Sequence, residues 1–491
     1  MLASKIARGI SWMMAGRLLG NAIGLVSTLV VATLLAPSEL GIFALATSMV
    51  QIMAAMFELQ TSLMLIQMRD PTRDDFDTAF TINLIRGSVV SLAVLIAAWP
   101  FSLVFGDARL LPLIAVLSLF PLILSFRNPY FELHAKEVSF APNTLLEVGT
   151  KIGTFVGMLG VAIFHPTYWA LASGLVLSAI TSTTISFVLA KQVPRFSLKA
   201  FRRVFSFSMW LGFASLVNQI NQQADRLILG AGFTHALLGA YAMASQVVEQ
   251  LMNALIQPVN WVVYSGFSKL NNDIHRLRAS YMLAHAAIIS ILLPASAGLL
   301  LVVGDAFQIF LGSKWAGAII FAQFAAVNFF IRVFPGPAWP LVMSLGKTRE
   351  LFFRTALSVG LRLAIQISSL ALFGLKGFLI GGVIAEVFSA VITLAMIKHV
   401  SQLKMADLVL NGVRPVLACL LMVFGVIFLR TYVLHDFDLI ARFAAEIAGG
   451  IFIYAMATYL IWRLAGEPEG QEQFALQKLS QTYSKLVSAG T

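Results

Sequence analysis

Leu40-Gly41-Ile42-Phe43-Ala44-Leu45-Ala46 and Leu238-Gly239-Ala240-Tyr241-Ala242-Met243-Ala244 are one pattern written twice, 198 residues apart. Trp12 and Trp210, and Gln51 and Glu249, stand at the same offset without a gap. A duplicated chain folds as two like halves, and the apolar stretches between the copies decide how those halves are related. Six stretches separate them, an even number, so both halves point the same way about an axis along a membrane normal.

The membrane is dictated by composition. Of 491 residues, 59% are hydrophobic and 12% charged; a globular soluble chain carries about twice that charged share, which excludes a soluble enzyme. Hydropathy predicts fourteen stretches long enough to span, from 9–35 and 38–66, through 78–104, 108–130 and 316–343, to 411–433 and 439–463. The first is too long and glycine-rich for a cleaved signal peptide and is expected to stay in the mature protein. The expected fold is an all-α membrane protein of 14 transmembrane helices. Residues 1–190 make an N-lobe and 191–400 a C-lobe of six helices each, followed by two C-terminal helices over 401–465 and a cytoplasmic polar tail over 466–491.

With the N-terminus in the cytoplasm, 23 of the 34 basic residues fall on the cytoplasmic side and five on the other. That asymmetry orients both termini inward. The net charge of +11 is therefore a topology signal, and nucleic acid is not an expected partner. The single cysteine, Cys419, excludes a disulfide framework. The seven histidines show no metal-ligand spacing, and no GxxxxGK phosphate loop is present, so neither a metal nor ATP is expected.

Six basic residues lie inside spans: Arg17, Arg86, Lys151, Arg226, Arg332 and Arg362. An arginine keeps its charge at membrane depth, and its planar fork suits phosphate or carboxylate. Arg17, Arg86, Arg226, Arg332 and Arg362 are thus candidate contacts for an anionic cargo, with Arg332 expected to meet Asn328 and Arg362 to meet Gln366 one helical turn away. Polar stripes accompany them. Span seven holds Asn218, Gln219, Asn221, Gln222, Gln223, Asp225 and Arg226; span eight carries Gln246, Glu249, Asn253, Gln257 and Asn260 at helical spacing; span two carries Thr47, Gln51, Glu58 and Ser62. Lipid does not tolerate such faces. Asn21, Gln51, Asn218, Gln222, Gln246, Asn253 and Gln257 are expected to line a wet cavity between the halves, interhelical hydrogen bonding being the dry alternative.

The carboxylates divide by neighbourhood. Glu147 sits one turn before Lys151 and reads as its structural partner. Asp225, Glu249 and Glu58 lack a local partner and are the candidates for coupling to H+ or Na+. Gly16-Gly20-Gly24 and Gly149-Gly153-Gly157 read as close-packing faces. Pro335, Pro337 and Pro340 signal a break in span ten, and Asp75-Phe76-Asp77 and Asp436-Phe437-Asp438 read as helix caps.

Ala224-Asp225-Arg226-Leu227-Ile228-Leu229-Gly230, with Leu238 to Ala244 behind it and Leu40 to Ala46 at the head of span two, resembles the signature of bacterial polysaccharide exporters. These are the Wzx-type lipid-linked oligosaccharide flippases of the multidrug/oligosaccharidyl-lipid/polysaccharide superfamily, and the likeness is nearest to their colanic acid and succinoglycan branch, over residues 1–465. The resemblance implies two lobes around a V-shaped cavity, alternating access, and an undecaprenyl-pyrophosphate-linked glycan carried to the outer leaflet of a bacterial inner membrane. It also implies ion-coupled antiport, and a polysaccharide polymerase and chain-length regulator as partners. Three alternatives stay open. A peptidoglycan-precursor (lipid II) flippase shares fold, charge and carrier. A cation-coupled multidrug exporter would favour carboxylates over the arginines present. A membrane polymerase or ligase would need larger external loops.

Overall fold

The structure, a computed structural model, describes residues 2–467 except 60, 69, 137–139 and 271–272, and for some helical residues describes the backbone alone. It is all-helical, with no strand among the described residues. Among the described residues, nine helices are long and apolar enough to cross a membrane. The chain forms two compact units, Met1–Gln250 with Leu311–Ala318, and Leu251–Phe310 with Ile319–Thr491.

The first unit is built from α1 (Leu2–Leu34), α2 (Pro37–Met56), the short α3 (Thr61–Gln67), α4 (Arg73–Val104), α5 (Leu110–Leu117), α6 (Leu119–Ser125), the single turn α7 (Leu133–Lys136), α8 (Phe140–Ala162), α9 (Tyr168–Leu189) and α10 (Phe201–Gly232). It also holds the first half of α11 (His235–Ser268). Glycine decides two of its packing faces. Added β-carbons at Gly16, Gly20 and Gly24 would meet Thr144, Glu147 and Lys151 of α8, and those at Gly149, Gly153 and Gly157 would meet Ile185, Thr181 and the Ser173 backbone of α9. Both stripes therefore let backbones approach, as small residues do between membrane helices.

A third glycine contact is reciprocal. A β-carbon at Gly41 would strike the carbonyl of His235, and one at Gly239 would strike the carbonyl of Pro37. The four positions are the two copies of one pattern, so α2 and α11 cross with each glycine seated on the other helix's first turn.

Polar caps close the ends of this unit. Thr72 and Asp75 form a reciprocal capping box at the start of α4, with Asp75 also accepting from Arg203. Asp77, Thr78 and Thr81 one and two turns on accept the backbone N–H groups of Arg195, Ala200 and Ser197. The 190–200 linker is latched along α4 in this way. The segment Leu311–Ala318 returns to cap α1: Lys314 Nζ donates to the carbonyls of Thr33 and Leu35 at 2.7 and 3.0 Å, and Trp315 Nε1 to that of Ala32 at 2.8 Å.

The second unit holds the rest of α11, then α12 (Ile274–Phe310), α13 (Ile319–Val333), the short α14 (Ala338–Ser344), α15 (Thr348–Ser401), α16 (Met405–Phe428) and α17 (Leu439–Leu464). One apolar core gathers Leu277, Tyr281, Leu341 and Ile397; a second gathers Ile289, Leu293, Met422 and Val426. α15 is two antiparallel arms, 348–373 and 375–401, turned at Gly374, whose φ of 60° only glycine adopts freely. Between α13 and α14 the helix breaks at Pro335–Pro337. Tyr281 Oη donates to the Pro335 carbonyl at 2.6 Å, and His285 Nε2 reaches the Phe334 carbonyl at 3.0 Å. The carbonyls freed by the break are thus satisfied from α12.

Three stretches expected as continuous spans are interrupted. The 38–66 stretch ends as a helix at Met56 and resumes at Thr61, which moves Glu58 off the helical stripe into a turn. The 108–130 stretch is jointed at Ser118, and 316–343 at the proline cluster. Asp438 caps α17 through the Ile440 N–H, so both Asp-Phe-Asp stretches act as caps.

Candidate functional site

In the first unit, polar side chains of α2 and α10 interlock. Gln219, Gln223 and Arg226 lie at i, i+4 and i+7 on one face of α10. Gln51 Oε1 accepts from Gln219 Nε2 and Gln223 Nε2, both at 2.8 Å. Gln223 Oε1 accepts from Arg226 Nη1 at 3.0 Å and from Ser48 Oγ at 3.1 Å. The amides fix the guanidinium of Arg226 without neutralising it. Beside them, Thr28 of α1 accepts from Gln246 at 3.1 Å and Gln250 at 3.4 Å on α11 and donates to the Gly24 carbonyl. Asp225 faces the other way: it is 3% exposed and takes the hydroxyl of Tyr241 at 2.5 Å.

Asn21, Gln51, Asn218, Gln222, Gln246 and Glu249 in this unit are all exposed, as are Asn253 and Gln257 in the second. On α11 they form one stripe opposite the buried Val247, Val248 and Met252. An exposed row of amides suits contact with water or a hydrated ligand rather than lipid. Arg86 of α4 meets Glu58 at 2.7 Å, both side chains being about a quarter exposed. One residue expected to hold cargo and one expected to couple an ion are therefore partners. Arg17 lies on α1, and its side chain falls outside the described residues.

The second unit gathers a denser charge. Arg332 of α13 forks onto Glu386 through Nε and Nη2, each at 3.2 Å, and lies over the Phe329 ring. The expected contact with Asn328 gives way to this pair, and Asn328 Oδ1 is buried without a hydrogen-bond partner. A carboxylate on the neighbouring arm offers a bidentate charged acceptor that an amide one turn back cannot match. Arg362 does reach Gln366, Nε to Oε1 at 3.1 Å, and Gln366 is fully buried. Arg354 completes the group, donating to Thr393 at 2.8 Å and Ser389 at 3.0 Å.

The hairpin explains the arrangement. Arg354 and Arg362 sit on its first arm; Glu386, Ser389 and Thr393, at i, i+3 and i+7, sit on the second. Arg354 and Arg362 act on Glu386 through space as well as Arg332. Three guanidinium groups thus gather around the Glu386 carboxylate. Guanidinium forks grouped in this way suit an oxyanion.

Sequence reading missed Arg354, which falls just inside the expected 352–373 stretch but was grouped with the cytoplasmic-side basic residues; the helix starts at Thr348, so Arg354 stands well within it. Spacing from Glu386 across a hairpin was the one signal available. It also missed a neutral quartet at the far end of this unit. Asp305 is gripped by Arg430 and Arg442 at 2.9–3.2 Å, with Glu446 within 3.5 Å of Arg430 and 4.0 Å of Arg442. Among the described residues no cluster of three or more His, Cys, Asp or Glu is placed to hold a metal ion.

Comparison with known proteins places these observations. The model of a family described as "Polysaccharide biosynthesis protein" matches residues 30–320. The lipopolysaccharide biosynthesis protein WzxC of Escherichia coli is 22% identical over 408 residues, covering 81% of this chain and 82% of its own. The succinoglycan biosynthesis transport protein ExoT of Rhizobium meliloti is 21% identical, covering 64% of each chain. In three dimensions the chain resembles the lipid II flippase MurJ in an inward closed conformation, with a TM-score of 0.71 at 15% identity over 92% of this chain and 98% of that one. It also resembles an inward-facing multidrug transporter of the MATE family, with a TM-score of 0.61 at 15% identity over 80% of this chain and 98% of that one. The chain belongs to the polysaccharide biosynthesis protein family. It is a multi-pass membrane protein, and one of its relatives, ExoT, is named as a transport protein.

Proposed function

We propose that this chain moves undecaprenyl-pyrophosphate-linked oligosaccharide repeat units from the cytoplasmic to the periplasmic leaflet of a bacterial inner membrane, by alternating access of two lobes, 1–190 and 191–400. In this reading fourteen helices cross the membrane, 401–465 supplies the last two, and both termini lie in the cytoplasm. The observation that carries it is the cluster of Arg332, Arg354 and Arg362 around a single carboxylate, in a chain whose relatives serve polysaccharide synthesis. A pyrophosphate is multiply charged, and guanidinium forks match its oxygens.

Arg226, held by Gln223, supplies a further cation, while the exposed amides from Asn21 to Gln257 suit the hydroxyls of a glycan. The polyprenyl tail stays in lipid. Asp225, Glu249 and Glu58 are the acids first assigned to H+ or Na+ coupling, and a polymerase and chain-length regulator receive the product. The test is polysaccharide output from cells carrying R332A, R362A or R226A at wild-type protein level. Output should fall at least tenfold, as loss of one charged contact of about 1.4 kcal/mol or more entails. Unchanged output from all three refutes the reading.

A further inference from the structure

The second unit's arginine cluster is already occupied by an anion of its own. Glu386 uses both carboxylate oxygens on Arg332 and sits within the field of Arg354 and Arg362. These three are the charged groups facing it from α13 and from the first arm of α15; its own arm contributes the hydroxyls of Ser389 and Thr393, which are taken by Arg354. The carboxyl is mostly enclosed, 13% exposed, whereas Arg332 is half exposed at 52%. An incoming oxyanion can therefore reach the guanidinium from the open side while the acid lies behind it.

Resting on the cargo reading above, we infer that Glu386 is a resident placeholder: the arriving phosphate displaces it from Arg332, and the displaced carboxylate takes up one proton. The balance is simple. The Arg332–Glu386 pair opens, an Arg332–phosphate pair forms, and an enclosed carboxylate parted from Arg332 and set beside the negative charge of the phosphate binds H+ and becomes a neutral carboxylic acid. Anion binding and proton uptake are then linked, and each strengthens the other. On release of the phosphate, Arg332 recaptures Glu386 and the proton leaves. The placeholder serves a second purpose, since it keeps the arginines from trapping cargo too tightly to let it go.

The experiment uses the full chain, purified and reconstituted in nanodiscs, with inorganic pyrophosphate and a short-chain polyprenyl pyrophosphate as probes. Titration calorimetry in buffers of different ionisation enthalpy counts the protons. Wild-type protein should take up about one proton per probe bound near neutral pH, and binding should strengthen as pH falls. E386Q, which has the shape but not the charge, should bind roughly tenfold more tightly, with the proton count cut to near zero and a flat pH profile. E386A, checked with E386Q for monodispersity and melting, keeps the comparison valid if one variant fails to fold. Equal or weaker binding by the folded variants overturns the placeholder, and if R332A then abolishes wild-type binding the cargo reading survives alone. Absence of probe binding by wild type and variants overturns both.

Discussion

The crossing of α2 and α11 allows a prediction in which the sign itself is informative. In an uncrowded helix, alanine in place of glycine stabilises by about 1 kcal/mol. At Gly41 the added methyl would stand 2.7 Å from the carbonyl carbon of His235 and nearer still to its oxygen, and at Gly239 it would stand 2.7 Å from the carbonyl carbon of Pro37. Ordinary contact begins near 3.4 Å, so the helix ends must part by about 0.7 Å or more. The obstacle is backbone and cannot rotate aside. Overpacking of this kind costs about 3 kcal/mol at the upper end of its range, which outweighs the propensity gain and leaves each single variant about 2 kcal/mol less stable.

Because both methyls press on one crossing, separation made for the first accommodates the second. The double variant G41A/G239A should therefore lose less than the two singles together, by about 1 kcal/mol or more. Melting of the detergent-solubilised protein, followed by intrinsic fluorescence across the four-member cycle, reads both effects. Singles that melt at or above wild type, or losses that simply add, would refute the reciprocal contact.

The pair of Arg86 and Glu58 should show the same logic in charge. R86A strands a partly buried carboxylate, E58Q on top of it should restore part of the stability, and a cycle coupling below about 0.5 kcal/mol would mean the pair is incidental. Y241F removes the hydroxyl held by Asp225 and should cost about 1–3 kcal/mol in melting, since the acid is buried; a neutral result would place the proton elsewhere. Asp107, in the loop between α4 and α5, is held below the usual carboxylate range chiefly by the hydrogen bond from Arg109. Its stabilising contribution is complete above the ordinary value of 3.8 and declines as pH falls through the depressed folded value. Wild-type melting should therefore soften below pH 3.8 more than that of D107N, and identical acid limbs would contradict this.

The parts of the fold written in local pattern were legible beforehand: helices from apolar length, packing faces from Gly16-Gly20-Gly24 and Gly149-Gly153-Gly157, caps from Asp75 and Asp438. The prolines at 335–340 announced their break because proline acts on its own helix. Hydropathy does not announce the joint at Ser118, since apolar residues continue through it, and the polar residues Glu58, Thr61 and Ser62 after Met56 read as well as a helical stripe as they do as a turn. The arginine partners were hidden for a related reason. Arg332 meets Glu386 across 54 positions and Arg86 meets Glu58 across 28, distances over which periodicity is silent. Arg362 and Gln366, one turn apart, were the exception. Arg354, close to the start of its expected stretch, was grouped with the loop charges, and only its hydrogen bonds to Ser389 and Thr393 across the hairpin give it a place in the cluster.

The cap on α1 bears on how the protein is made. The last carbonyls of that helix, at Ala32, Thr33 and Leu35, are satisfied by Lys314 and Trp315, which leave the ribosome only after most of the chain's first two thirds. Until then the nascent first hairpin must stand in the bilayer with an unfinished rim, held by water or by insertion machinery. Truncation before residue 311 should thus leave that end of the hairpin open to protease, with extension past 318 closing it.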